Sequence, residues 1–151
     1  MEITALFTHD RLAQNTVQTP HLLISIKAPT PDGLEKRPQL CVLPVIDLSG
    51  SMGGPKLEYA KQSLLKLVDQ LQDGDLVGLI GFESQVHVLF EPKVADGGTK
   101  DKLRQAIRGL RARGGTNFAG GMLKAVQVIQ DLDLPPTFLK RVIMFTDGEP
   151  T

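Results

Sequence analysis

Two strand-like segments of the chain are apolar without alternation, and each leads into an aspartate. Residues 40–47 read LCVLPVID, and residues 140–148 read KRVIMFTDG. A third segment, LVGLIGF at 76–82, has the same character. Strands of this kind are typical of a parallel sheet, because helices cover both of its faces. The segments therefore predict a parallel sheet with Asp47 and Asp147 at the carboxyl ends of two strands.

Segments with helical spacing of apolar residues separate these strands. Such spacing covers 57–71, 103–110 and 122–129. From Leu40 onward the order is strand, helix, strand, strand, helix, helix, strand, which predicts an α/β fold with a doubly wound, mostly parallel sheet. The segment QVHVLFEP at 85–92 ends in proline, which favours an edge position. Sites in such folds lie beyond the carboxyl ends of the strands.

Pro44 lies within a strand that should be central. Proline has no backbone N–H and so removes one donor from the ladder. The sequence therefore predicts either a bulge at Pro44 or a neighbouring strand that does not pair there.

The first 39 residues differ in character from the rest. EITALFT at 2–8 and TVQTPHLLISIKA at 16–28 are rich in strand-forming residues, and PTPDGLEKRP at 29–38 is typical of an exposed turn or linker. We expect two regions, an N-terminal β extension at 1–39 and an α/β domain from residue 40 to residue 151.

The composition excludes several classes of protein. The formal net charge is zero over 151 residues, so no overall field attracts nucleic acid. No apolar run approaches the roughly 20 residues of a membrane span, and the N-terminus lacks the features of a secretory signal. Cys41 is the single cysteine, which excludes an intrachain disulfide. We expect no nucleic-acid partner, no membrane span and a cytoplasmic location.

The segment DLSGSMGG at 47–54 raises the question of whether Ser51 is a nucleophile. In the G-x-S-x-G turn of hydrolases a glycine would stand at position 49, where this chain has serine. The three histidines, His9, His21 and His87, all precede Asp147, so no base follows the acid. A phosphoaspartyl enzyme would need a second aspartate at position 49, and the phosphate-binding loop of nucleotide enzymes is missing. These observations disfavour nucleophilic and phosphotransfer chemistry.

A metal site uses the same residues more fully. Asp47, Ser49 and Ser51 alternate, so one extended turn can direct all three side chains to a single point. Carboxylate and hydroxyl oxygens suit Mg²⁺, and also Mn²⁺ or Ca²⁺. Glycines at 50, 53 and 54 allow the turn to bend.

The chain resembles von Willebrand factor A domains in three segments. These are DLSGS at 47–51, GGTN at 114–117 and FTDGEP at 145–150, and they correspond to the metal-ion-dependent adhesion site of that family. The resemblance implies that Ser49, Ser51 and Thr116 bind Mg²⁺ through their hydroxyls. It implies that Asp47 and Asp147 act directly or through water, and that a Glu or Asp of a partner protein takes the remaining position.

The function implied is a non-catalytic, metal-dependent protein-binding domain that serves in adhesion or as a scaffold. The alternatives are a Mg²⁺-dependent hydrolase or phosphotransfer enzyme and a structural domain with an unused site. The N-terminal strands resemble those that precede the domain in some bacterial members of the family.

The family's strand order, 3-2-1-4-5-6, makes the strand before Asp147 the fourth. The resemblance therefore implies that residues 40–151 are the N-terminal portion of the domain. We expect a second polypeptide, a cleaved remainder or a swapped copy to complete the sheet, because an uncovered apolar edge strand favours aggregation.

Overall fold

The computed structural model describes residues 2–7, 22–27 and 37–148. The chain divides into two compact units, Met1–Arg37 and Pro38–Thr151. Most of the predicted linker at 29–38 lies outside the described residues, as do His9 and His21. Residues 149 and 150, the last two of the FTDGEP segment, and residue 151 also lie outside them.

The first unit contains two strands, β1 (Glu2–Phe7) and β2 (Leu22–Lys27). They pair in antiparallel register, with Glu2 opposite Lys27 and Phe7 opposite Leu22. Both strands lie within the segments that the sequence predicts to be extended.

The second unit is an α/β domain with a four-stranded sheet. Its elements are β3 (Leu40–Asp47), a 3₁₀ turn (Gly50–Met52), α1 (Pro55–Gln70), β4 (Leu76–Phe82), β5 (Val86–Val94), α2 (Gly97–Gly109), α3 (Phe118–Asp131) and β6 (Leu139–Phe145). The sheet order is β5-β4-β3-β6, with β3 parallel to β4 and β6, and β5 antiparallel to β4. The predicted fold and element order are confirmed. The edge position predicted for the segment 85–92 is also confirmed, although the strand there, β5, continues past Pro92 to Val94.

Helices cover both faces of the central strands. Side chains of α1 and α2 pack with one set of strand residues, which includes Val42, Ile46, Val77 and Leu79. Ala125 of α3 packs with the alternate set, Leu43, Val45, Ile80 and Phe82. This arrangement explains why β3 and β4 lack polar alternation. None of the helices in the described part of the chain is long and apolar enough to cross a membrane.

Pro44 is accommodated by a gap in one ladder. It pairs with Ile143 of β6, whereas the register between β3 and β4 passes from Val42 opposite Val77 to Val45 opposite Ile80. Gly78 lies in this gap, where an added Cβ would be 2.7 Å from Cδ1 of Leu43. The second expectation for Pro44 is therefore correct: a neighbouring strand does not pair at that position.

Apolar side chains remain exposed on β6 and α3. On β6, an edge strand of the described sheet, these are Leu139, Val142 and Ile143. On α3 they are Phe118, Met122, Leu123 and Val126. The expected completion of the sheet by a further segment stays a prediction.

Candidate metal centre

Asp47 ends β3 and is fully buried. Its Oδ1 accepts a hydrogen bond from the backbone N–H of Ser49 at 2.8 Å. Its Oδ2 accepts one from the hydroxyl of Thr146 at 2.9 Å. Two donors therefore fix the orientation of this carboxylate, and one of them comes from the segment after β6.

The two serines of the turn face each other. Oγ of Ser49 lies 3.1 Å from Oγ of Ser51, and Ser49 is buried. The 3₁₀ turn Gly50–Met52 carries Ser51 and leads, through Gly53 and Gly54, into α1 at Pro55. The predicted alternation of Asp47, Ser49 and Ser51 thus places the three side chains on one short segment at the carboxyl end of β3.

The loop that precedes α3 is bonded to this segment. The N–H of Gly50 donates to the carbonyl of Gly114 at 3.0 Å, and the N–H of Arg113 donates to the carbonyl of Leu48 at 2.6 Å. Gly114 has a φ of 70°, which favours glycine. The loop containing Thr116 therefore lies beside the turn that contains the two serines.

Thr116 carries a buried hydroxyl that has no hydrogen-bond partner among the described residues. The next residue, Asn117, caps α3 by accepting a hydrogen bond from the N–H of Gly120 at 2.9 Å. Since buried polar atoms in folded proteins nearly always have a partner, this hydroxyl requires an explanation.

Asp147 follows β6 and forms an ion pair that the sequence does not predict. Its Oδ2 lies 2.7 Å from Nζ of Lys56, the second residue of α1. The carboxylate is nearly buried, and its neighbour Thr146 is the donor to Asp47. The loop after β6 is thereby joined both to the end of β3 and to the start of α1.

The side-chain chemistry at this edge fits a hard divalent ion. Within the described ranges no group of three or more His, Cys, Asp and Glu side chains could hold a metal. The predicted set is different, because it combines two carboxylates with three hydroxyls. Mg²⁺ is held in proteins by one or two carboxylates together with neutral oxygens. The unpartnered hydroxyl of Thr116 is the feature of this structure that such an ion would satisfy.

Glu83 supports the surrounding loops and is missed by sequence reasoning. It is buried and accepts hydrogen bonds from the N–H groups of Ser84 and Gln85. Nε2 of His87 and Nε of Arg113 lie 3.4 Å and 3.7 Å from its Oε1. Burial opposes ionisation of Glu83, but the hydrogen bonds from His87, Ser84 and Gln85 outweigh it and lower its pKa.

We expect Glu83→Gln to destabilise the domain in a pH-dependent way. Because the folded state lowers the pKa of Glu83, its contribution is present above the unfolded pKa and is lost as the pH falls through the folded value. The difference in thermal midpoint between the wild type and Glu83→Gln should therefore shrink between about pH 7 and about pH 3. A difference that is constant over this range would show that the charge of Glu83 does not stabilise these loops.

The hydrogen-bond partners of Ser51 and His87 give no support to a hydrolytic dyad. Oγ of Ser51 contacts Oγ of Ser49, and His87 is paired with Glu83. A serine nucleophile needs an adjacent base. Within residues 37–148, the histidine is not placed to serve Ser51 in that way.

Comparison with curated proteins identifies relatives that are named as inter-alpha-trypsin inhibitor heavy chains. The chain is 35% identical over 127 residues to inter-alpha-trypsin inhibitor heavy chain H4 of Homo sapiens, covering 80% of this chain and 13% of that protein. It is 37% identical over 112 residues to heavy chain H1 of Sus scrofa, covering 71% and 12%. The chain thus spans about an eighth of the length of these curated relatives.

Comparison with solved structures identifies bacterial pilus proteins. The vWF domain of the type V pili tip protein Mfa5 from Porphyromonas gingivalis superposes with a TM-score of 0.64 and 26% identity, covering 76% of this chain and 39% of that chain. The PilB minor pilin from Streptococcus sanguinis has a TM-score of 0.65 and 19% identity, covering 84% and 38%, and shows the fold alone.

A family model supplies the most direct assignment. The model described as von Willebrand factor type A domain matches residues 42–149, which begin within β3 and include every later element to β6 and all the predicted site residues. The resemblance seen in the three short segments is therefore confirmed at the level of the family. The chain belongs to the von Willebrand factor type A domain family.

Proposed function

We propose that this chain is a non-catalytic, metal-dependent protein-binding domain. In this proposal Asp47, Ser49, Ser51, Thr116 and Asp147 hold Mg²⁺, with Mn²⁺ or Ca²⁺ as possible substitutes. The partner is a protein that presents a Glu or Asp side chain at the carboxyl ends of β3 and β6.

The observation that carries the proposal is the buried hydroxyl of Thr116. Leaving a buried donor or acceptor without a partner costs about 1–3 kcal/mol. Backbone hydrogen bonds from Gly50 and Arg113 hold the loop containing Thr116 against the turn containing Ser49 and Ser51. An ion held by these hydroxyls would give Thr116 the partner that it lacks among the described residues.

The protein's own groups are suited to prepare such a site for an acidic partner. Hydrogen bonds from Ser49 and Thr146 fix the carboxylate of Asp47 before any ligand arrives. Two carboxylates balance a divalent charge, and the hydroxyls, which are neutral, leave the ion more electrophilic than further carboxylates would. A bound Mg²⁺ would supply a Lewis-acidic position for an oxygen from outside the chain. The absence of a base beside Ser51 within the described residues favours binding over hydrolysis.

One relative of known structure agrees with a binding role in an assembly. It is the vWF domain of a pilus tip protein, at 26% identity. That name describes the pilus protein, and the corresponding role of this chain is part of the proposal.

We expect Thr116→Val to separate metal binding from folding. Valine keeps the shape of threonine but removes a buried hydroxyl without a partner, so in chelator the free energy of unfolding should be unchanged or rise by about 1 kcal/mol. The rise in thermal midpoint caused by millimolar Mg²⁺ in the wild type should be largely lost. Thr137→Val, at an exposed loop position, should leave the Mg²⁺ response intact.

The same titration tests the alternative functions. An equal Mg²⁺ response in Thr116→Val and in the wild type would remove Thr116 from the ligand set. A wild type that shows no response would favour a structural domain with an unused site. A pull-down of partners with and without chelator tests the binding role directly, and metal-dependent turnover of a substrate would favour the hydrolase.

A further inference from the structure

Lys56 is a cation in contact with the candidate centre. Its Nζ lies 2.7 Å from Oδ2 of Asp147, and the side chains are 48% and 8% exposed. The pair joins positions separated by 91 residues, so it depends on the folded domain. One of the two carboxylates assigned to the ion is therefore also a partner of a lysine.

Lys56 also lies at the end of its helix where a positive charge is unfavourable. Lys56 is the second residue of α1, in the turn where the partial positive charge of the helix disfavours cations. A lysine at this end requires compensation, and the carboxylate of Asp147 provides it. Lys56, at the helix start, and the proposed ion are thus two positive groups that would share the carboxylate of Asp147.

We propose that Lys56 competes with the divalent ion for Asp147 and so sets the metal concentration at which the centre fills. This inference rests on the proposed function, because it concerns affinity for the same ion. Lys56 is then a residue that tunes the affinity of the site, and it would not itself bind metal.

The physical basis of the competition is charge and space. An ammonium group and a divalent ion both bind carboxylate oxygens, and an ion at Asp147 with Lys56 still in place would meet like-charge repulsion. The half-exposed lysine has a flexible stem that allows it to leave. A cleft of about 360 Å³, lined by Lys56, Asp147, Met52, Ala60 and residues 144–146, provides room for that movement.

The test measures Mg²⁺ and Mn²⁺ affinity by calorimetry for the wild type, Lys56→Gln and Lys56→Arg. We expect Lys56→Gln to lower the dissociation constant about tenfold, which corresponds to about 1.4 kcal/mol. Lys56→Arg keeps the charge and can pair in a bidentate way with Asp147, so its dissociation constant should equal or exceed that of the wild type. The control is Lys66→Gln, which removes the same charge from an exposed position about 15 Å along α1 and should change affinity less than twofold.

A stability measurement gives an independent readout. In chelator, Lys56→Gln should have a lower thermal midpoint than the wild type, because Asp147 loses its ammonium partner. At saturating Mg²⁺ the two midpoints should converge, since the ion replaces the lysine in both proteins.

Distinct results would overturn the inference and the proposed function. Equal affinity of the wild type and Lys56→Gln, a gain no larger than that of Lys66→Gln, or weaker binding by Lys56→Gln would overturn the inference alone. Failure of the wild type and every variant to bind metal would overturn both. Binding by Lys56→Gln but not by the wild type would support the competition in its strongest form.

Discussion

Replacing Asp47 by asparagine is expected to abolish the stabilisation of the domain by Mg²⁺ while leaving the domain folded. Asparagine can still accept the hydrogen bond from the N–H of Ser49, and the hydroxyl of Thr146 can turn to accept from the new amide. The charge that would hold the ion is lost. At a Mg²⁺ concentration one hundred times the dissociation constant, the wild type should gain about 2.7 kcal/mol, and Asp47→Asn close to none.

Asp75 offers a matched control for this experiment. It is also a buried aspartate, but it precedes β4 and therefore lies at the opposite end of the strands from Asp47. Its carboxylate accepts hydrogen bonds from the N–H groups of Leu40 at 2.9 Å and Gln72 at 2.8 Å. Asp75→Asn should lower the free energy of unfolding equally in chelator and in Mg²⁺, which leaves the Mg²⁺ increment unchanged.

The measurement is chemical denaturation of both variants in chelator and in Mg²⁺, followed by partner pull-down. Asp47→Asn should also lose the partner, because the proposed interface passes through the ion. Retention of the partner by Asp47→Asn in the presence of chelator would contradict a metal-bridged interface. Loss of the Mg²⁺ increment in Asp75→Asn would show that general destabilisation, and not the site, accounts for the result.

The fold was predictable because its signals are local. Unbroken apolar character in β3 and β4 reflects two covered faces, and the helical periods of α1, α2 and α3 each appear within a single segment. The edge position of β5 followed from the proline at the end of the predicted segment. Its extension to Val94 did not, because Pro92 lies at a register shift, between Lys93 opposite Val77 and Phe90 opposite Leu79, where an edge strand tolerates proline.

The residues that orient and neutralise the candidate site could not be predicted from these local signals. Asp47 and Asp147 are marked by their places at strand ends, but Thr146 contacts Asp47 across 99 residues and Lys56 contacts Asp147 across 91. Glu83 belongs to no recognised motif, since its partners are backbone groups, the nearby His87 and the more distant Arg113. The ligand pattern is local in sequence, whereas the groups that orient and neutralise it are brought together only by the sheet.

Replacing Gly121 by valine is expected to destabilise the domain by about 3 kcal/mol, because it overpacks the contact between α3 and β4. Gly121 is buried, and a Cβ at this position would lie 2.7 Å from Cδ1 of Phe82. The ring of Phe82 is fully buried and also meets the ring of Phe118 edge-on at 6.0 Å, so it has little freedom to move. Gly109→Val is the control, since an added Cβ at this exposed residue of α2 meets nothing within 4 Å. Its effect should stay within about 0.5 kcal/mol.

The two valine variants also test whether the packing of α3 positions the candidate centre. Thr116 directly precedes Asn117, the N-cap residue of α3. A displacement of the helix away from Phe82 must therefore move the loop that carries the hydroxyl of Thr116. We therefore expect Gly121→Val to weaken Mg²⁺ binding as well as stability, although it touches no proposed ligand. Gly109→Val should change neither. If Gly121→Val lost stability but bound Mg²⁺ as the wild type does, the position of Thr116 would be set by its bonds to the serine turn and not by the seating of α3.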